Sequence, residues 1–431
     1  MIHPARLQTL ADHPSHPRAP YVLYWMQQSQ RTRFNHALEH AAHLANSLDL
    51  PLLVCFGLMA DYPEANARHY LFMLQGLADV RKNLKKRGIA FVIQRGAPAE
   101  VAAHFARKAA LVVTDRGYLR HQRQWREAVA RACDRMGRGL VQVESDAVVP
   151  VEVASNKREY AARTIRPKIH RHLGEFLKPL RATPLKREAG SLKVESDIDL
   201  VDPLKALVRL KVDRSIAPVP QFFTGGQDAA RKRFDAFVSH RLRGYAEGRN
   251  EPVDDQTSHM SAHLHFGQIS PLELALRVRA ARAPGENVES YAEELIIRRE
   301  LAFNYCEYTE NYDSYDALPG WAKQTLQDHA GDPRPYVYTA EALESARTHD
   351  ACWNAAQLEM NSTGFMHNSM RMYWGKKILE WSATPRQAFE ITLRLNNRLF
   401  LDGRDPTLRG STASTTARGA RRATFSEPSV T

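Results

Sequence analysis

Chemistry-bearing residues are densest between Cys352 and Pro406, where CWNAAQLEM, MHNSMRMYWGKKILEW and LRLNNRLFLDGRDP carry Trp353, Trp374 and Trp381, three of the six tryptophans in the chain. Trp374 and Trp381 are seven residues apart, so on a helix they stand two turns, about 10 Å, apart on nearly one face. Large aromatics at that spacing pack a core. Indoles so spaced also offer successive oxidation sites across which electrons can hop. Arg371, Lys376, Lys377 and Arg394, followed at once by Asn396, Asn397, Asp402 and Asp405, surround them with more hydrogen-bonding groups than an apolar core carries.

A second cluster is YAEGRNEPVDDQTSHMSAHLHFGQ, Tyr245 to Gln268. Thr257, Ser258 and Ser261 fall where a helix can begin, so their hydroxyls either hold a phosphate beside free backbone N–H groups or simply cap that helix. His259 and His263 are four apart, but no glutamate follows the first histidine as a zinc hydrolase requires, and no metal is expected. A third cluster, YAEELIIRRELAFNYCEY from Tyr291 to Tyr308, reads as an amphipathic helix in which Glu294 can pair with Arg298 across one turn. Spacing alone assigns it no chemistry.

These residues need a scaffold, and 431 residues, 43% of them hydrophobic, are enough for two or three domains with sizeable cores. A formal charge of +12 points to an anionic partner, nucleic acid first. Four cysteines, at 55, 133, 306 and 352, have neither metal nor disulfide spacing, which fits a reducing cytosol. No apolar run is long enough to cross a bilayer, and MIHPARLQTLADHPSHPRAP lacks a signal core. A soluble intracellular protein is expected.

Along the chain, residues 1–20 read as an extended, proline-containing arm. From Tyr21 to about Ser145, five short apolar runs alternate with helical stripes. This pattern predicts a doubly wound parallel sheet, an α/β domain over residues 21–150. No GxGxxG follows the first strand; the chain reads QQSQRTRF there, so this is not an ordinary dinucleotide domain. A ligand would still be placed at the carboxyl ends of the strands, near Met26–Arg33 or Thr114–Gly117. Residues 151–223, rich in proline, lysine and arginine, predict a connection that wraps the surface. Residues 224–406 recur at helical spacing and predict an all-helical domain.

Five ordered segments, TSHMSAHLHFGQISP, EELIIRRELAFNYC, THDACWNAAQLEM, MRMYWGKKILEW and LNNRLFLDGRDP, together with YVLYWMQQSQRTRFNHAL near the start, carry a resemblance. Over roughly residues 20–406 the chain resembles the class II cyclobutane pyrimidine dimer photolyases of the photolyase/cryptochrome superfamily. The resemblance implies a Rossmann-like antenna-type domain followed by a helical FAD-binding domain, and light-driven repair of dimers in DNA. It implies that Tyr245, Thr257, Ser258 and Ser261, with the backbone of Met260, hold the diphosphate of a U-shaped FAD. Asn396 would face the flavin N5, and Asp402, paired with Arg371, would set the polarity at the other edge of the ring. Trp353, Trp374 and Trp381 would relay electrons to oxidised flavin. Glu294 would hydrogen-bond a thymine carbonyl of the flipped dimer, Met372 would pack against the dimer, and Arg249 and Asn250 would approach it or the vacated duplex. An antenna chromophore, deazaflavin or folate, is implied as well. The partner is double-stranded DNA containing pyrimidine dimers, and the protein is expected to be a cytoplasmic, nucleoid-associated monomer with no metal and no membrane contact.

These roles are physically coherent. A neutral amide at N5 can accept an N–H, whereas a carboxylate there would disfavour an anionic reduced ring. A basic surface binds phosphates without reading sequence, and a poorly stacked dimer costs less to extrude than a normal pair. The chain departs from the pattern at Ile297, where other branches of the superfamily carry tryptophan, although an aliphatic residue followed by RRE fits class II. It departs further after LDGRDP. The resemblance predicts an aromatic stretch and a GxHDxxW-type motif; the chain reads TLRGSTASTTARGARRATFSEPSVT, so 407–431 is expected to be a disordered tail of the kind a frameshift would give. A non-repairing, cryptochrome-like blue-light flavoprotein and a truncated, inactive remnant are the alternative readings. Glu294, Met372 and Asn250 favour repair.

Overall fold

The computed structural model describes residues 1–407. Six strands form one sheet: β1 (Leu7–Ala11), β2 (Tyr21–Trp25), β3 (Leu52–Leu58), β4 (Ala90–Arg95), β5 (Ala109–Asp115) and β6 (Leu140–Val143), in the order β1-β6-β5-β2-β3-β4. The last five are mutually parallel, joined by crossover helices α1 (His36–Ser47), α2 (Ala67–Lys86), α3 (Pro98–Ala106) and α4 (Arg120–Met136). Every residue of β2, β3 and β5 is buried, because helices cover both faces of the sheet. Alternate residues of β2 therefore enter different cores. Val22 and Tyr24 pack with Leu38, Leu74 and Val80 on one side, and Leu23 and Trp25 pack with Val101, Phe105 and Val129 on the other.

The first twenty residues are not a free arm. β1 pairs antiparallel with β6, Leu7 opposite Val143, as an edge strand too short to show alternation in the sequence. Arg6 anchors it from a buried position, donating to the carbonyls of Glu144, Ala147 and Val148 at 3.2, 3.0 and 2.6 Å. Residues 151–223 carry more structure than their prolines suggest. The helix Ala162–Phe176 buries Ile165, Ile169 and Phe176 against Phe234, Phe237 and Leu295 of the helical region. Further on, Ile198, Leu200, Leu207 and Leu210 return to the α1/α2 face of the sheet.

The segment that replaces the glycine fingerprint has a definite task. The buried Asp115 carboxylate accepts the backbone N–H groups of Gln27, Gln28 and Ser29 at 2.9, 3.2 and 2.6 Å, and the Tyr24 hydroxyl at 3.0 Å. The amides that a dinucleotide domain turns toward pyrophosphate are thus satisfied within the protein. Arg31 then bridges to the helical region, donating to Asp146 at 2.6 Å, the Ser145 carbonyl at 2.8 Å and the Gly267 carbonyl at 3.0 Å. Gln28 donates to the His265 carbonyl at 2.7 Å. Gly267, at φ +63°, presses so closely on the Gln28 carbonyl that a Cβ would overlap it.

The rest of the described chain is helical, with Gln227–His240, Pro271–Arg279, Gly285–Ala292, Arg299–Glu307, Ala351–Thr363, Asn368–Glu380 and Pro385–Leu399 as its principal helices. Among the described residues no helix is long and apolar enough to cross a membrane. The tail expected over 407–431 lies, apart from Thr407, outside the described residues.

Candidate functional site

Three capped helices hold the tryptophan segment. Asp350 caps Ala351–Thr363 by accepting the Trp353 N–H at 2.8 Å, His367 caps Asn368–Glu380, and Thr384 followed by Pro385 opens Pro385–Leu399. Trp353, Trp374 and Trp381 are all buried in one cluster with Met360, Ile378, Leu395 and Phe400. Their order differs from what seven-residue spacing predicts. Trp381 sits just beyond its helix, and Trp353, from the neighbouring helix, touches both of the others. Its ring lies edge-on to Trp381 at 5.6 Å between centroids, and its indole N–H donates to the Trp374 carbonyl at 3.1 Å. Trp374 donates its own N–H to Gln357 at 2.7 Å.

Residues 396–405 make a buried turn beside this cluster. Asn396 donates through Nδ2 to the Gly403 carbonyl, and Gly403 crosses so close that a Cβ would overlap the Asn396 carbonyl. Arg371 reaches Asp402 with one nitrogen at 3.0 and 3.1 Å from its two oxygens, and its guanidinium lies 3.9 Å from the Phe400 ring centroid. Asp405 contacts Arg299 at 3.2 Å and His265 at 3.7 Å. Burial raises its proton affinity, but Arg299 and then His265 outweigh burial and hold its carboxyl well below the usual range.

The second and third clusters meet each other. Tyr245 packs edge-on to Tyr291 at 5.2 Å, and the Tyr291 hydroxyl donates to Ser258 at 3.2 Å. Burial pushes the Tyr245 phenol up to about 12. The helix after this loop starts at Ser261 with Met260 in the cap position and no side-chain cap, so the Thr257 and Ser258 hydroxyls do not cap it. Arg241 holds the Thr257 carbonyl at 3.0 Å and Asp255 at 3.1 Å, and His259, at φ +52°, bonds Asp255 at 2.5 Å. Met260 is buried and Ser261 exposed.

Glu294 lies in a π-helical turn, Glu293–Arg298, and its partner is not Arg298. The wider turn rotates it toward Arg249, which donates at 2.9 Å, while Arg298 pairs with Glu293 at 3.2 Å. Ser369 donates to the Asn250 carbonyl at 2.7 Å, fixing that loop to the helix that carries Arg371, Met372 and Trp374. Contacts and short chain connections therefore link Ser258 through Tyr291, Tyr245, Arg249 and Asn250 to Arg371, Asp402 and, by way of Phe400, Trp374. Among the described residues no group of three or more His, Cys, Asp or Glu side chains is placed to hold a metal ion.

Residues 22–186 match the DNA photolyase family. Over 406 residues the chain is 49% identical to a deoxyribodipyrimidine photo-lyase of Methanothermobacter thermautotrophicus, covering 94% of this chain and 88% of that one. The chain belongs to the DNA photolyase family. It is also 40% identical to a deoxyribodipyrimidine photo-lyase of Potorous tridactylus, over 89% of this chain and 72% of that one. Among solved structures, a bacterial class III photolyase from Agrobacterium tumefaciens superposes with TM-score 0.72 at 19% identity, over 94% of this chain and 80% of the other. An archaeal photolyase from Sulfolobus tokodaii with two FAD molecules superposes with TM-score 0.70 at 14% identity, over 94% and 85%. The fold is that of photolyases.

This photolyase chain has a second feature that its residue types did not announce. A cleft with about 740 Å³ of space, part of it open to solvent, lies at the carboxyl ends of the strands between the sheet and the helical region. Gln27, Gln28 and Gln30 line it from the segment after β2, Tyr62 and Trp125 add aromatic surface, and His265 and Arg404 close it from the helical side. The strand-end rule offered Met26–Arg33 or Thr114–Gly117 for a ligand; residues of the first line this cleft and none of the second does. Tyr62, Trp125, His265 and Arg404 come from four distant stretches, and nothing in the sequence groups them.

Proposed function

We propose that this photolyase-family chain is a class II deoxyribodipyrimidine photo-lyase that uses FAD to split cyclobutane pyrimidine dimers in double-stranded DNA in light, as a monomer in the cytoplasm associated with the nucleoid. The observation that carries the reading is the set of contacts and short chain connections that joins the Glu294–Arg249 pair to Arg371, Asp402 and the three tryptophans. It is supported by relatives named deoxyribodipyrimidine photo-lyase at up to 49% identity over most of the chain.

The donor set fits FAD. Thr257, Ser258 and Ser261 offer hydroxyls, with Tyr245 and the Met260 backbone beside them, suited to a diphosphate that needs donors and no metal. Asn396 spends its amide N–H on the Gly403 carbonyl, which leaves Oδ1 to accept an N–H such as that of a reduced flavin at N5. Arg371, its charge balanced by Asp402, would set the polarity around the flavin ring. FAD, when bound and reduced, supplies the electron that opens the dimer under light.

Every other role belongs to side chains. Arg249 pairs with Glu294 and holds it beside the site, where its carboxyl, in the protonated form, would donate to a thymine carbonyl, and Met372 supplies an adaptable apolar wall. Asn250, fixed through its carbonyl by Ser369, faces the lesion or the vacated duplex. Trp374, Trp353 and Trp381, packed in one buried cluster, would relay electrons to the flavin. The cleft between sheet and helical region takes an antenna chromophore, a deazaflavin or a folate, whose heterocycle the aromatic lining and glutamine amides suit.

The test is to purify the chain, look for absorption near 450 nm from bound oxidised flavin, reduce it, and illuminate it with dimer-containing duplex. Loss of dimers in light alone is the expected result. Absence of flavin after reconstitution overturns the proposal, and bound flavin without dimer loss replaces it with a sensing or inactive flavoprotein.

A further inference from the structure

One buried turn forms a wall of both candidate sites. Its inner face carries Asn396, through the Gly403 carbonyl, and Asp402 with Arg371. Its outer face carries Arg404, which lines the cleft, is only 3% exposed and places its guanidinium 5.5 Å from the Tyr62 ring centroid. The same Arg404 donates to the Asn397 carbonyl at 2.9 Å, in the last turn of the helix that presents Asn396. His69, also in the cleft wall, bonds the Phe400 carbonyl at 2.9 Å, and His265 reaches Asp405. Two bonds internal to the turn, from the Gly403 N–H to Phe400 O at 3.2 Å and from the Asp405 N–H to Asp402 O at 2.9 Å, make the segment one unit. Close packing leaves such a unit little room to yield on one face without moving the other.

We propose that the turn 400–405 couples the two sites, so that a planar heterocycle seated in the cleft against Arg404 tightens binding of FAD at Asn396 and Asp402, with Arg404 as the positioning residue. The inference rests on the proposed use of FAD. A ligand carbonyl or anionic edge that bonds Arg404 fixes the guanidinium on Tyr62, and with it the Asn397 carbonyl and the helix end that aims Asn396. FAD then meets a site already ordered, and less of its binding free energy goes into ordering. By linkage the effect is mutual: FAD strengthens binding in the cleft by the same factor.

The experiment strips the full chain of flavin and titrates FAD, read by flavin fluorescence, with and without saturating 8-hydroxy-5-deazariboflavin, and separately with 5,10-methenyltetrahydrofolate. Occupancy by each probe is followed through its own fluorescence polarisation. A bound probe is expected to lower the FAD dissociation constant by about fivefold or more. Arg404→Met should abolish that enhancement and Arg404→Lys should restore part of it. Tyr62→Leu, which changes no residue of the turn itself, should reduce the enhancement even if Arg404→Met fails to fold. A probe that binds without changing the FAD constant overturns the coupling, as does failure of both probes to bind. Failure of FAD itself to bind overturns the proposed function instead, which keeps the two apart.

Discussion

Trp353 is fixed at both ends, its ring against Trp381 and its N–H on the Trp374 carbonyl, so the three indoles keep one geometry. Trp374→Phe retains an aromatic ring but removes a site of easy oxidation. Photoreduction of bound flavin should slow by on the order of tenfold or more, while repair by chemically reduced protein persists. Equal loss of both, measured by flavin bleaching and by dimer counting, would make Trp374 a packing residue. The lost N–H leaves the buried Gln357 oxygen unpaired, which should cost about 1–3 kcal/mol in urea unfolding. Gly403 is constrained differently. Gly403→Ala drives a methyl into the Asn396 carbonyl, so the turn must open, with a loss of about 2 kcal/mol or more in stability and weaker FAD binding in a fluorescence titration.

Among elements, the clasp between the segment after β2 and residues 265–267 sets how the sheet meets the helical region. Arg31 and Asp146 are 1% and 3% exposed at the side chain, so each compensates a charge that would otherwise stand alone in a poorly polarisable interior. Arg31→Ala should cost about 3–5 kcal/mol, because it removes the charge partner of the Asp146 carboxylate and the donor to three backbone carbonyls, those of Phe34, Ser145 and Gly267. Urea unfolding measures the loss, and a change under about 1 kcal/mol would mean that water replaces the guanidinium. QQSQRTRF was readable as something other than a glycine fingerprint. That its amides turn onto Asp115, almost ninety residues away, was not, because sequence spacing carries no information about which loop faces which.

At the scale of the whole molecule, Glu300 joins the helix Arg299–Glu307 to the sheet domain by accepting the N–H groups of Val148 and Val149 at 2.6 and 3.1 Å. Burial, partly offset by those bonds, raises its proton affinity to about 8. The folded state therefore keeps a proton that the unfolded state releases near the ordinary value of 4.5. The contribution of Glu300 to stability should therefore fall as pH rises from about 4.5 to about 8 and level off above. Glu300→Gln removes the titration, so the difference between variant and parent in urea unfolding should grow by roughly 2–4 kcal/mol in the variant's favour between pH 5 and pH 8. A difference independent of pH would show that Glu300 is ionised in the fold. The net charge of +12 acts at this scale as well: affinity for duplex DNA should fall linearly on a plot of log affinity against log salt, with a slope set by the phosphates contacted.

The sequence by itself determined the alternation that builds a parallel sheet, the helical spacing after residue 224, the five motif segments and the family they resemble. Each of these is written in nearest-neighbour spacing or in contiguous residues, which a linear chain displays directly. The tertiary structure decided what depends on residues far apart in the chain. It turned residues 7–11 into an edge strand, moved Glu294 from Arg298 to Arg249 through a π-helical turn, and set Trp353 against both Trp374 and Trp381. It also gathered Gln28, Tyr62, Trp125 and Arg404 around one cleft. The physical reason is common to all four: each is settled by which buried polar group finds a partner and which side chain fills the space beside it, and those partners are chosen only when segments apart in the chain pack together.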